Sequence, residues 1–282
     1  MNKLRGASLL GVSAAVVAAV AVPFTAHAGE TSAVSTPDSS PQIVGGEKAK
    51  EGAYPWMTRL EIKYKTSTMA CGGSMLSSDI VLTAQQCLAE DPKLGKPTAV
   101  TVDIGKVDYT DADDEGQRRS GAHYYLGKGI KKGDWAVIKL DKPFAAKAFA
   151  KLPKDDELDS QETLRAIGYG STSEGGKPSQ YLHQVDLPVV APAKCGDNTD
   201  VEICAGDVKK GGLDTCAGDS GGPLLADPKA RKTDWVIVGI TSHGIGCGRK
   251  GEPGHYTKVS AFTKQIQAAI TLLEGHDAST NS

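Results

Sequence analysis

From Ile43 onward the chain breaks into short runs of β-forming residues, none long enough to be more than one strand of a twisted sheet. Residues 80–83, 100–104, 135–140, 185–190 and 235–241 are such runs, and Gly, Pro, Asp and Ser separate them. β-Branched and aromatic side chains suit a pleated, half-buried surface, while the breakers supply the turns. The pattern predicts a mostly β chain, built as a sandwich or a barrel. Only the end has helical period: Phe262, Ile266, Ile270 and Leu273 fall on one face, before a polar tail from Gly275 to Ser282. No internal repeat or long linker interrupts the chain, and a stretch of about 230 residues can form one compact unit.

The other end reads as an export signal. Lys3 and Arg5 precede an apolar run over residues 9–22, and Ala26-His27-Ala28 has the small-x-small pattern of a cleavage site. The run is short for a bilayer span of about 20 residues. A signal peptide over 1–28 and a Ser/Thr/Pro-rich leader or propeptide over 29–42 are expected, with a secreted, extracellular product that keeps no membrane contact after cleavage. All six cysteines lie beyond this segment, and an even number in an oxidising compartment predicts disulfides. A zinc site would need close cysteine pairs or cysteine–histidine clusters at ligand spacing, which are missing, so neither metal nor cofactor is expected. A net charge of -2 with no basic stripe argues against nucleic acid.

The chemistry is concentrated in Cys216-Ala217-Gly218-Asp219-Ser220-Gly221-Gly222-Pro223. Glycines let such a turn fold tightly and expose a serine hydroxyl, and the amides of Gly218 and Ser220 can converge on a developing oxyanion. Together with Ile43-Val44-Gly45-Gly46, with LTA-x-x-C over 82–87 and with DWAVIKL over 134–140, this string resembles the chymotrypsin–trypsin (S1) family of serine proteases, above all its secreted bacterial trypsins. The resemblance covers nearly all of residues 43–273. It implies two packed six-stranded antiparallel β-barrels with a C-terminal helix, a peptidase domain over 43–274, a site in the cleft between the barrels, and a monomer.

Residue by residue, the resemblance makes Ser220 the nucleophile, Asp134 the aspartate that orients the base, and Ser242 the serine bonded to that aspartate. At the position of the histidine, Thr83-Ala84-Gln85-Gln86-Cys87 carries Gln86. An amide takes no proton near neutral pH, so Ser220 lacks a base. Loss of the histidine alone costs a Ser-His-Asp protease about 2 × 10⁶ in turnover, or about 8–9 kcal/mol. His243 stands where the family has a tryptophan in the cleft wall, and would replace the base only with a ring nitrogen in reach of Ser220. His123, His183, His255 and His276 read as surface or packing residues. Asp214, six residues before Ser220, matches the carboxylate at the floor of a pocket for Lys or Arg, with Gly244 and Gly254 keeping its walls open. The implied disulfides are Cys71–Cys87, Cys195–Cys204 and Cys216–Cys247, with the helix between the second pair trimmed. Ile43 matches a mature N-terminus whose ammonium pairs with Asp219, although Gln42 before it is no site for self-cleavage by a trypsin. The acidic run Asp108, Asp111, Asp113, Asp114 and Glu115 reads as a solvated loop rather than a calcium site.

Three readings of function follow. The first is an inactive homologue that captures peptides, proteins or protease inhibitors presenting Lys or Arg. The second is an endopeptidase cleaving after Lys or Arg with His243, or a histidine carried by the substrate, as base. In the third, Gln86 is a substitution or error in a working enzyme.

Overall fold

The computed structural model describes residues 43–111, 117–196, 198–227 and 235–280. Thirteen strands account for most of it: β1 (Glu47–Lys48), β2 (Met57–Lys63), β3 (Thr68–Met75), β4 (Ile80–Thr83), β5 (Ala99–Ile104), β6 (Arg118–Leu126), β7 (Ala136–Leu140), β8 (Thr163–Gly168), β9 (His183–Pro188), β10 (Glu202–Ala205), β11 (Pro223–Ala226), β12 (Val236–His243) and β13 (Gly254–Lys258). Every run that the sequence marked as β lies within or across one of them. A single α-helix, α1 (Thr263–Thr280), ends the described chain.

β2 to β7 close a barrel in the order β2-β3-β4-β7-β6-β5. In β2 the buried Leu60 and Ile62 alternate with Arg59, Glu61 and Lys63, the period of a strand with one face inward. Antiparallel register sets Leu60 opposite Cys71 on one side and Val102 on the other, so this inner face is continuous. β7 is buried throughout, and its Lys139 is tolerated there because Nζ lies 2.6 Å from Asp79 Oδ2.

The second half is a sheet of order β1-β9-β8-β11-β12-β13-β10. A bridge between Val189, just past β9, and Ala205 of β10 ties β9 across to the opposite edge. Seven strands rather than the expected six take part, since β1 covers the open edge of β9, where Gln184 Nε2 also donates to Glu47 Oε1 at 2.8 Å. The alternation in β8, β11 and β12 serves two cores. Leu164, Leu224 and Val238 face the core of the second half; Ile167, Leu225 and Ile237 join the core that reaches into the first barrel. That double burial is why β12 reads as an apolar run, whereas β8 is broken by Arg165.

α1 packs on the first barrel through Ile266, Ala269 and Leu273, beside Phe262 at its entrance. It runs to Thr280, well into the segment read as a tail. Once a helix is anchored by packing, each added residue costs little, and with no proline beyond Leu273 the helix carries Gly275, a residue common just past helix ends, within it. Among the described residues no helix is long and apolar enough to cross a membrane. The expected signal segment and leader lie outside the described residues, as do Asp113, Asp114 and Glu115 of the acidic run.

Candidate active site

The turn carrying Ser220 is pinned between the two halves. Gly72 N on β3 donates to Ser220 O at 2.8 Å, and Gly221 N donates to Thr241 O on β12 at the same distance. Contact is so close that a Cβ on Gly72 would stand 2.8 Å from Gly222 Cα, and one on Gly221 would stand 2.2 Å from Thr83 Oγ1. These glycines are therefore needed for the halves to meet here. Below the turn the fully buried Asp219 accepts from Gly170 N at 2.7 Å and Cys216 N at 2.9 Å. Burial pushes its carboxyl up to about 7. Gly218 has φ +100°, and neither its amide nor that of Ser220 donates to any group among the described residues. Two free amides beside the hydroxyl are what an oxyanion would require.

Across the cleft, Asp134 precedes β7 with no exposure, and its backbone carbonyl accepts from Thr257 Oγ1 at 3.1 Å. Its carboxylate receives three donors: Gln86 N at 2.9 Å, Gln86 Nε2 at 2.9 Å and Ser242 Oγ at 2.6 Å. Burial still holds its pKa above the ordinary carboxylate range. Gln86 Nε2 also donates to Ser242 O at 2.5 Å. Both neighbours of that nitrogen are pure acceptors, which fixes the amide with its NH2 toward Asp134 and Ser242. The two N–H bonds are thereby spent, and the group left over is an amide oxygen, which can accept a hydrogen bond but holds no proton near neutral pH. Gln86 itself sits on the short 3-10 turn Gln85–Cys87, which the Cys71–Cys87 disulfide ties to β3.

His243 has its ring nitrogens elsewhere. Nδ1 lies 3.3 Å from Ser242 Oγ, Nε2 lies 3.9 Å from Glu202 Oε1, and the ring stacks on His255 with centroids 4.5 Å apart. No hydrogen bond joins it to Ser220. Burial, then the neighbouring His255, lower its pKa.

A cavity of about 250 Å³ opens beside Ser220, with Asp214, Thr215, Ser242, His243 and Gly254 in its lining. Asp214 is 4% exposed and accepts from Thr215 N and Gly248 N, each at 2.8 Å. Its carboxyl is pushed up to about 6 by burial. A Cβ on Gly254 would stand 2.5 Å from Asp214 Oδ1, so that position must be glycine for the carboxylate to occupy the floor. Around Gly244 a Cβ would meet nothing closer than 3.8 Å. The Cys216–Cys247 disulfide joins the two segments that frame the cavity, and Cys195 pairs with Cys204 of β10.

At the start of the described chain, residues 43–46 dock on the same loops. Asp214 N donates to Val44 O at 3.2 Å, a Cβ on Gly45 would stand 2.3 Å from Gly212 O, and Ile43 is wholly buried in the second core. Asp108 spends its carboxylate on Thr110 and on Gln180 Nε2. The structure also gathers Glu202 and His255 beside His243, a grouping missed in the sequence because it arises from register across three strands.

A model of the trypsin family matches residues 43–266. Over 277 residues the chain is 35% identical to a trypsin-like protease of Streptomyces glaucescens, an alignment that covers 95% of this chain and 96% of that protein.

Proposed function

This chain belongs to the trypsin family of serine proteases, and from that premise we propose that it is a secreted, catalytically silent member that retains a pocket for Lys or Arg side chains. One observation carries the reading: Gln86 occupies the base position with both amide hydrogens bound to Asp134 and Ser242 O. The hydroxyl of Ser220 then faces no group able to remove its proton, while the aspartate remains fully satisfied and the site stays folded. His243 is a poor substitute, since its nitrogens are turned to Ser242 and Glu202.

Asp214 supports the binding half of the reading. A carboxylate at the floor of a narrow cavity favours a cationic side chain, and the free amides of Gly218 and Ser220 suit a peptide carbonyl held in place without being cleaved. Ligands of this chemistry are exposed Lys or Arg side chains of peptides, proteins or protease-inhibitor loops. The match of residues 43–46 to the family's mature N-terminus supports processing at Ile43, after which its ammonium would compensate the buried Asp219. Because Gln42 precedes the cut, another protease would make it.

Binding and acylation are separable in one protein. Protein cut before Ile43 should bind benzamidine by calorimetry yet resist labelling of Ser220 by a phosphonofluoridate. Asp214→Ser should weaken benzamidine by about 30-fold or more, as expected when a buried cation loses its carboxylate. Rapid labelling would overturn the silent site, and binding indifferent to Asp214→Ser would remove the pocket.

A further inference from the structure

Behind the wall of the cleft, three strands gather three side chains that take no part in the Ser220–Asp134 constellation. His243 ends β12 and stands opposite His255 of β13. His255 is paired in turn with Cys204 of β10, two residues from Glu202, which opens that strand. On neighbouring antiparallel strands opposed residues have Cβ atoms about 4.5–5.5 Å apart and diagonal ones about 7–8 Å, so register alone brings the three within side-chain reach. The observed atoms are closer still. His255 Nδ1 lies 3.0 Å from Glu202 Oε2, His243 Nε2 lies 3.9 Å from Glu202 Oε1, and one ligand atom from each residue falls within 4.8 Å of the others.

A second observation points to a missing partner. Glu202 is 6% exposed, and its Oε1 is buried with no hydrogen-bond donor among the described residues. Leaving a buried carboxylate oxygen unpaired is costly, because water no longer solvates it. His243, at 36% side-chain exposure, opens the cluster to the cleft, so a small ion has a way in. Cys204 Sγ is also near, 3.4 Å from His255 Nδ1, but it is held in a disulfide and offers no thiolate.

We propose that Glu202, His243 and His255 form a site for a divalent transition metal of the zinc class. Two imidazole nitrogens and one carboxylate oxygen are a donor set for a borderline ion, whereas calcium and magnesium want more oxygens than one side chain supplies. Bond lengths of about 2.0–2.2 Å put tetrahedral ligands roughly 3.4 Å apart. The separations, 3.0 Å to Oε2 and 3.9 Å to Oε1, lie on either side of that value but run to different oxygens, so the carboxylate must turn to present one oxygen to an ion held by both rings. Three protein ligands leave a fourth position for water. The bound ion would satisfy Glu202 Oε1 and lock His243, a wall residue of the cleft, whether or not Ser220 is reactive.

The test is a zinc titration of the EDTA-stripped secreted protein by calorimetry near neutral pH, with cobalt as a spectroscopic probe. One zinc per chain at micromolar affinity or better is expected, together with the visible bands of tetrahedral cobalt. Glu202→Gln and His255→Ala should each weaken zinc by at least about tenfold. Should His255→Ala fail to fold, the partly exposed His243→Ala tests the same point, and it should also abolish the cobalt bands. His123→Ala, on β6, should change neither. Affinity no better than millimolar, or binding and bands unmoved by His243→Ala and Glu202→Gln, would overturn the site.

Discussion

An imidazole and a primary amide can make the same hydrogen bond to a buried aspartate, but only the imidazole carries a lone pair basic enough to take a proton from serine. Gln86 makes a bond to Asp134 at 2.9 Å with a side chain that takes no proton near neutral pH, so in the proposed reading one residue separates holding the site together from operating it. Asp214 makes a second residue-scale argument, through pH. Burial raises its carboxyl to about 6, above the value near 3.9 expected in an unfolded chain. The stability linked to its protonation is therefore complete below about pH 4 and is lost as pH rises through 6. Ligand binding has the opposite trend, since benzamidine needs the carboxylate and is itself cationic throughout. Its affinity should climb about tenfold per unit up to pH 6 and level off above it; a flat profile from pH 4.5 to 8, measured by calorimetry, would mean that Asp214 is not the counter-ion. In the sequence, Ser220, Asp134 and Asp214 were legible because each sits in a string with distinctive neighbours. Glu202 and His255 were not, since only strand register brings residues so far apart in sequence together.

At the scale of elements, the reading of β-type runs found strands that are buried on both faces, such as β4, β7 and β12, and passed over β2, where polar residues alternate with buried ones. It failed for β1, whose Glu47 and Lys48 are both exposed and whose pairing comes from the free edge of β9 rather than from any apolar signal. The end of α1 was misplaced for a related reason: polar residues past Leu273 say nothing against continued helix once the anchored turns have formed. The anchor itself is testable. Ile266 is fully buried against the first barrel, so Ile266→Ala should cost about 2–5 kcal/mol through lost burial and an unfilled cavity. In a domain of this size that is a fall in melting temperature of roughly 5–15 °C, readable by circular dichroism. A loss below about 1 kcal/mol would show that α1 merely rests on the barrel and does not help hold it.

For the whole molecule, function depends on where the halves meet. The first barrel supplies Gln86 and Asp134, the second supplies Ser220, Ser242 and Asp214, and close glycine contacts around Gly72 and Gly221 set the spacing across the cleft. That a cleft joins two barrels was implied by family resemblance; the strand pattern alone was equally compatible with a sandwich. The central claim is that this assembled cleft is silent because of Gln86 alone, with nucleophile, oxyanion amides and pocket all in place. The most direct test is hydrolysis of an arginine ester by the processed protein and by its Gln86→His variant under the same conditions. Since the histidine is worth about 2 × 10⁶ in turnover in a Ser-His-Asp protease, the account predicts a parent near background and a gain of at least about 10⁴ on restoring it. A variant within about tenfold of its parent, whether both are fast or both are slow, would contradict the account.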